Sequence, residues 1–182
     1  EAYTCGVPAM IAKSLTDRLK DAGKYNFYLG TPPQELRIIA SFLLTQFNKS
    51  PHLIIGLLPA LWKRHGREDA ILYGIILANI NSELLSENIW IFFANSLRKQ
   101  EPADDMLSVC EELVRAKHFF PEIEILNNLA TRGIIFHQLV LFILFQKSRL
   151  NLKLTKEELK LVETCPGTND LLIRLKLKIL NN

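Results

Sequence analysis

Apolar residues recur along this 182-residue chain at intervals of three and four. That spacing collects side chains on one face of a helix, whereas a strand needs strict alternation. No stretch reads as a strand ladder, and breakers punctuate the pattern regularly. It predicts ten helices, over about 9–22, 33–47, 51–65, 67–80, 86–98, 102–116, 121–131, 134–147, 155–164 and 168–180. Their starts carry chemical signals. In "TPPQELRIIASFLL", Thr31 precedes two prolines and Glu35 falls in the first turn. Ser50 is the N-cap of "SPHLIIGLLPALW", with Pro51 as first helical residue. Thr155 and Glu158 form a capping box, and Thr168 caps the last helix. Pro59 lies inside a helical pattern, where a kink or break is expected.

A longer period sits above the helical one. The first helix of successive pairs begins near Pro51, Ser86, Pro121 and Thr155, starts that are 35, 35 and 34 residues apart. Helix pairs at such a spacing mark an α-solenoid, in which each unit covers its neighbour's apolar face. "IIFHQLVLFILF" is apolar almost all round, as a helix flanked on both sides should be. The expected fold is all-α: a single domain over 1–182, a right-handed α-solenoid of about five HEAT-like helix pairs.

Composition narrows the function. Hydrophobic residues make up 48%, enough for a packed core. Twenty-two basic against 19 acidic residues leave a net charge of +3, which permits a nucleic-acid partner without demanding one. Cys5, Cys110 and Cys165 are far apart and odd in number, so they read as free thiols of a reducing cytoplasm. His52, His65, His118 and His137 lack zinc-ligand spacing. The longest apolar run, Gly133 to Phe145, is interrupted by His137 and Gln138 and falls short of the roughly 18–20 residues a membrane span needs. The chain starts at Glu1, so we expect a trimmed or partial chain; no signal peptide is visible. A cytoplasmic monomer without membrane contact is expected.

In "RKQEPADDMLSV", Asp104 and Asp105 follow a proline and precede an apolar run. Pro102 suits the first helical position, and acids in the first turn complement the helix dipole. Cations gather at helix ends: Lys63, Arg64 and His65, then Arg98 and Lys99, then Lys147 and Arg149. Each suits the negative end of its helix dipole. A solenoid aligns such ends along one edge, which can track a phosphate backbone. Arg174 and Lys178, four apart, share a face of the last helix. Trp62 and Trp90 read as core, and His137 as a hydrogen-bonded interior residue.

Three segments, taken together, resemble a known family. They are "KYNFYLGTPPQELRIIASFLL", "LLPALWKRHGREDAILYGIILANI", and "ILNNLATRGIIFHQLVLFILFQKS" followed by "LTKEELKLVETCPGTNDLLIRLKLKIL". Their order is similar to that of the AlkD-type DNA alkylation repair glycosylases, over roughly residues 20 to 180. The resemblance implies a curved HEAT-like array that holds duplex DNA in a basic concave face. It implies excision of N3- and N7-alkylated purines, of the 3-methyladenine and 7-methylguanine type, with no metal or organic cofactor. A carboxylate would stabilise the oxocarbenium-like sugar. Asp105 matches that catalytic aspartate, with Asp104 as the alternative one register away. Glu101 and Pro102 stand where the family has a tryptophan, Gln138 where it has a basic residue, and Ile179 near its second tryptophan. Three of four site residues thus depart from the pattern, which implies weak or lost glycosylase activity. DNA contacts are expected at the helix-end cations Lys63, Arg64, Arg98, Lys99, Lys147 and Arg149 and at Arg174 and Lys178. The alternative is a HEAT-like scaffold that holds a protein partner and catalyses nothing.

Overall fold

The structure, a computed structural model, describes residues 17, 18, 20, 21 and 24–181. The regular elements among those residues are helices, with no strand among them. The helices are α1 Pro33–Gln46, α2 Pro51–Arg64, α3 Arg67–Asn79, α4 Ile89–Ser96, α5 Ala103–Arg115, α6 Ile123–Thr131, α7 Ile134–Arg149, α8 Lys156–Thr164 and α9 Asp170–Leu180. Asp17, Arg18, Lys20 and Asp21 are also helical, and Lys24 follows with a left-handed φ of 54°. The rest of the helix expected over 9–22, and Cys5, lie outside the described residues. The chain forms two compact units, one ending at Ile80 and the other beginning at Asn81.

In the first unit, α3 packs on both α1 and α2. Leu36 and Ala40 of α1, Ile54, Leu58, Leu61 and Trp62 of α2, and Tyr73, Ile76 and Leu77 of α3 form the core. The Trp62 and Tyr73 rings lie 4.9 Å apart, so Trp62 is core as expected. Helix α2 does not break at Pro59; it runs on to Arg64. The proline leaves one carbonyl a turn earlier without its helical donor, and burial of Leu58, Leu61 and Trp62 around it holds the helix together.

An extended segment is clipped to the α2–α3 junction. The Asn26 amide donates to His65 O at 2.9 Å, and the Arg67 amide to Phe27 O at 3.3 Å. Beyond it, the amides of Leu29, Gly30 and Thr31 all donate to Oε1 of buried Glu68, at 3.0, 2.9 and 3.3 Å. One carboxylate oxygen thus satisfies three backbone donors that the extended segment cannot satisfy itself. Gly30, at φ 77°, turns the chain so that they converge. Gly66 is required here by close approach: a Cβ would fall 2.0 Å from Phe27 Cζ. Beside Glu68, the buried Asp69 has Arg64 Nε 3.1 Å from its Oδ2, an ion pair without a hydrogen bond. Burial pushes the Asp69 carboxyl above its ordinary value, Arg64 pulls against this, and the charge of Glu68 pushes it up further.

The second unit is organised around α7, which packs against α5, α6, α8 and α9. Leu139, Val140, Leu141, Phe142, Ile143 and Leu144 are all fully buried. A run of six consecutive interior positions has no wet side, so neighbours must cover every face. The capping box at α8 forms as expected: Thr155 Oγ1 accepts from Glu158 N at 3.2 Å, and Glu158 Oε2 from Thr155 N at 2.8 Å. Helix α4 begins at Ile89 and α6 at Ile123, later than the expected 86 and 121, and two other starts shift by one residue. Pro102 is the N-cap of α5, not its first residue. Asn169, not Thr168, caps α9, its side chain accepting from Leu172 N at 3.0 Å. Asn and Thr both serve as caps, and their adjacency hid the choice. Trp90 is fully buried and donates to Phe119 O at 2.8 Å, fastening α4 to the α5–α6 loop.

Gly66→Ala should destabilise the chain by roughly 1–3 kcal/mol through overpacking, measured by urea unfolding. In a Phe27→Ala background the same change should cost much less; equal costs in both backgrounds would dismiss the Phe27 contact. Asp69 gives a pH prediction. Because its folded pKa is raised, its contribution to stability is fullest below the ordinary value of 3.8 and is lost as pH climbs through the raised one. Asp69→Asn should therefore gain stability relative to the parent as pH rises from about 4 to neutrality. A constant difference across that range would contradict the assignment.

Candidate nucleic-acid interface

The two aspartates at the start of α5 part company. Asp104 is exposed, whereas Asp105 is 7% exposed and faces inward. Successive helical residues are about 100° apart, so one of an adjacent pair turns to the core. Asp105 acts on Arg98, whose guanidinium is clamped by Glu101. Glu101 Oε1 accepts from the Arg98 amide at 2.8 Å and from Nε at 2.9 Å, and Oε2 accepts from Nη2 at 2.8 Å. Hydrogen bonding to Glu101 first, then the charges of Glu101 and Asp105, hold Arg98 above its ordinary value against partial burial. The other positions matched to the family's site are also interior. Gln138 is 9% exposed and donates to Thr168 Oγ1 at 2.9 Å, and Ile179 is 3% exposed. Asp105, Gln138 and Ile179 therefore do not line a common surface.

The eight basic candidates divide evenly. Arg98 is tied to Glu101, and in the first unit Arg64 is tied to Asp69. Lys147 Nζ donates to Glu158 Oε1 at 2.6 Å, inside a cluster that also holds the α8 cap. Arg149 Nη1 donates to Glu111 Oε1 at 2.7 Å across the surface. The remaining four, Lys63, Lys99, Arg174 and Lys178, are exposed and form no ion pair among the described residues. An exposed pair such as Arg149–Glu111 contributes little and can exchange with a phosphate. Lys147 is different: breaking its bond strands a nearly buried carboxylate.

The structure adds a group that the sequence reading did not select. Arg132, at the end of α6, donates through Nη2 to Asn95 Oδ1 at 2.9 Å. Asn95 Nδ2 in turn donates to Glu87 Oε1 and Oε2 at 3.2 and 2.9 Å. The guanidinium lies 4.3 Å from the Phe136 ring centroid. An amide and an aromatic face thus orient an exposed arginine that has no carboxylate in direct contact among the described residues. Its one sequence signal is local: "TRGIIF" sets the arginine before Gly133, whose φ of 142° reverses the chain towards Phe136. The Asn95 partner is 37 residues away and carries no local mark.

His137 Nε2 meets Leu161 O at 2.8 Å, so it is a hydrogen-bonded, half-buried residue as expected. Burial drives the Cys110 thiol well above its ordinary value and, opposed by Lys176, the Cys165 thiol up to about 11. Both stay protonated at neutral pH and offer no nucleophile. Among the described residues no group of His, Cys, Asp and Glu has the arrangement to hold a metal ion, and no helix is long and apolar enough to cross a membrane. Comparison of the chain with protein-family models, curated proteins and solved structures returned no match.

Lys147 should behave as a strut between α7 and α8. Lys147→Met and Glu158→Gln should each destabilise by roughly 1–3 kcal/mol, and the double variant by clearly less than their sum. Additive losses in urea unfolding would show that the two side chains act separately.

Proposed function

We propose that this chain is a HEAT-like helical-repeat protein, a diverged relative of the AlkD-type DNA alkylation repair glycosylases, that binds the backbone of duplex DNA and excises no base. In this reading the helix pairs stack as a right-handed α-solenoid; the first helices of successive pairs begin at Pro51, Ile89, Ile123 and Lys156, a roughly regular interval that supports it. The observation that carries the binding half is Arg132. An arginine already oriented by Asn95 and Phe136 loses little freedom on meeting a phosphate, and its fork suits phosphate oxygens. Glu87, one amide away, moderates its field and keeps affinity modest. Lys99 and the exchangeable Arg149 would add contacts that carry no sequence information. The absence of excision follows from Asp105. An oxocarbenium ion is stabilised only by a carboxylate that can approach it, and Asp105 is interior and in the field of Arg98.

A protein-holding scaffold is the second reading. It is supported by α1, where Ile38 and Phe42 are 69% and 60% exposed one turn apart. Arg37, Ser41 and Thr45 line a shallow recess with them.

Binding of a short labelled duplex, followed by anisotropy, should weaken steeply between about 50 and about 200 mM salt. Arg132→Ala should lower affinity equally on unrelated sequences and reduce the salt slope by about one. Duplex containing 7-methylguanine should release no base with either the parent or Asp105→Asn. Release abolished by Asp105→Asn would restore the enzyme, and binding indifferent to Arg132→Ala would remove the interface.

A further inference from the structure

Helix α9 carries two apolar stripes. Leu172, Leu175 and Ile179 are buried within the second unit. On the other side Ile173, Leu177 and Leu180 are 45%, 53% and 41% exposed. Their i, i+4, i+7 spacing aligns them along the outer face. The cations of the helix are sorted as well. Lys176 is committed, its ammonium donating to Glu163 O and Cys165 O at 2.8 and 2.9 Å. Arg174 and Lys178 are exposed, have no ion pair among the described residues, and run along one flank of the outer stripe, one turn apart. Beside Leu177 the surface sinks into an open groove of about 450 Å³ whose lining includes Phe145, Ser148, Arg149, Lys178 and Asn181. The end of α7 and the end of α9 form its sides.

We propose that this face of α9 docks an acidic amphipathic helix of a partner protein. Three apolar residues at helical spacing match the apolar seam of a second helix, and the groove receives one larger side chain from it. Two unpaired cations a turn apart select carboxylates at the same spacing on the partner. A DNA backbone would use Arg174 and Lys178 but leave Ile173, Leu177 and Leu180 uncovered. The partner's charge is thus fixed by the flank and its helicity by the stripe. The proposal goes beyond both readings of function, since it rests on neither Arg132 nor α1, although its groove borders Arg149, which the DNA reading also uses.

The test uses the full chain and two synthetic helical peptides. Both carry leucines at i, i+4 and i+7; one has glutamates along the flank of that seam and the other has lysines. By fluorescence anisotropy the glutamate peptide should bind at least about tenfold more tightly than the lysine peptide. Arg174→Glu with Lys178→Glu should reverse that preference. Leu177→Ser should abolish binding of both peptides while leaving thermal stability and the effect of Arg132→Ala on DNA unchanged. Equal binding of the two peptides, or a preference that survives the charge reversal, would overturn the proposal. A concentration-dependent dimer lost in Leu177→Ser would assign the face to a second copy of the chain instead. Duplex binding lost in Leu177→Ser would assign it to nucleic acid. Retained DNA binding with no peptide preference would defeat this proposal and leave the function proposed above standing.

Discussion

A helix with no polar side cannot meet water anywhere along its middle, and α7 imposes that condition on the second unit. From Leu139 to Leu144 every side chain is buried. Removing so much apolar surface from water drives assembly, but it is effective only if neighbours arrive on all sides. Helices α5, α6, α8 and α9 do so. The polar groups at the margins then have to be satisfied inside. Gln138 finds Thr168, His137 finds the Leu161 carbonyl, and Lys147 finds Glu158. Several residues that look functional in the sequence are, in the structure, the polar fastenings of an apolar helix.

The same condition explains which basic residues remain for a ligand. Arg98, Lys147 and Arg149 are drawn into ion pairs within the chain, whereas Lys99, the outer cations of α9 and Arg132 at the end of α6 form none among the described residues. Arg132 and the Arg174–Lys178 flank differ in company as well as position. Arg132 stands on an amide and a ring, an arrangement suited to a phosphate. Arg174 and Lys178 border exposed leucine and isoleucine side chains, an arrangement suited to another helix.

Helix existence was legible because periodicity is a local property: α1 to α9, among the described residues, all fall on segments that the apolar spacing marks out. The α8 start was legible to the residue because Thr155 and Glu158 both contribute to it. Adjacent capping residues at Thr168 and Asn169 left the α9 start ambiguous, and Pro59 did not break α2 because packing outweighed a lost hydrogen bond. The division of the basic candidates was not legible. Arg149 meets Glu111 across 38 positions and Arg132 meets Asn95 across 37, distances at which sequence spacing says nothing. Nor was the inward turn of Asp105, since its neighbour Asp104 has the same chemistry and only the helical phase separates them.

The burial of α7 also has a consequence for how the chain is made. Synthesis runs from the N-terminus, so α5 and α6 leave the ribosome before α7, and α7 before α8 and α9. For that interval a helix apolar on every face has cover on part of its circumference only, and its uncovered side is a surface on which a nascent chain can stick to others. Folding of the second unit is thereby tied to completion of its final helix. A nascent chain whose α7 has left the ribosome while α8 and α9 have not would present chaperones with the most adhesive version of this protein.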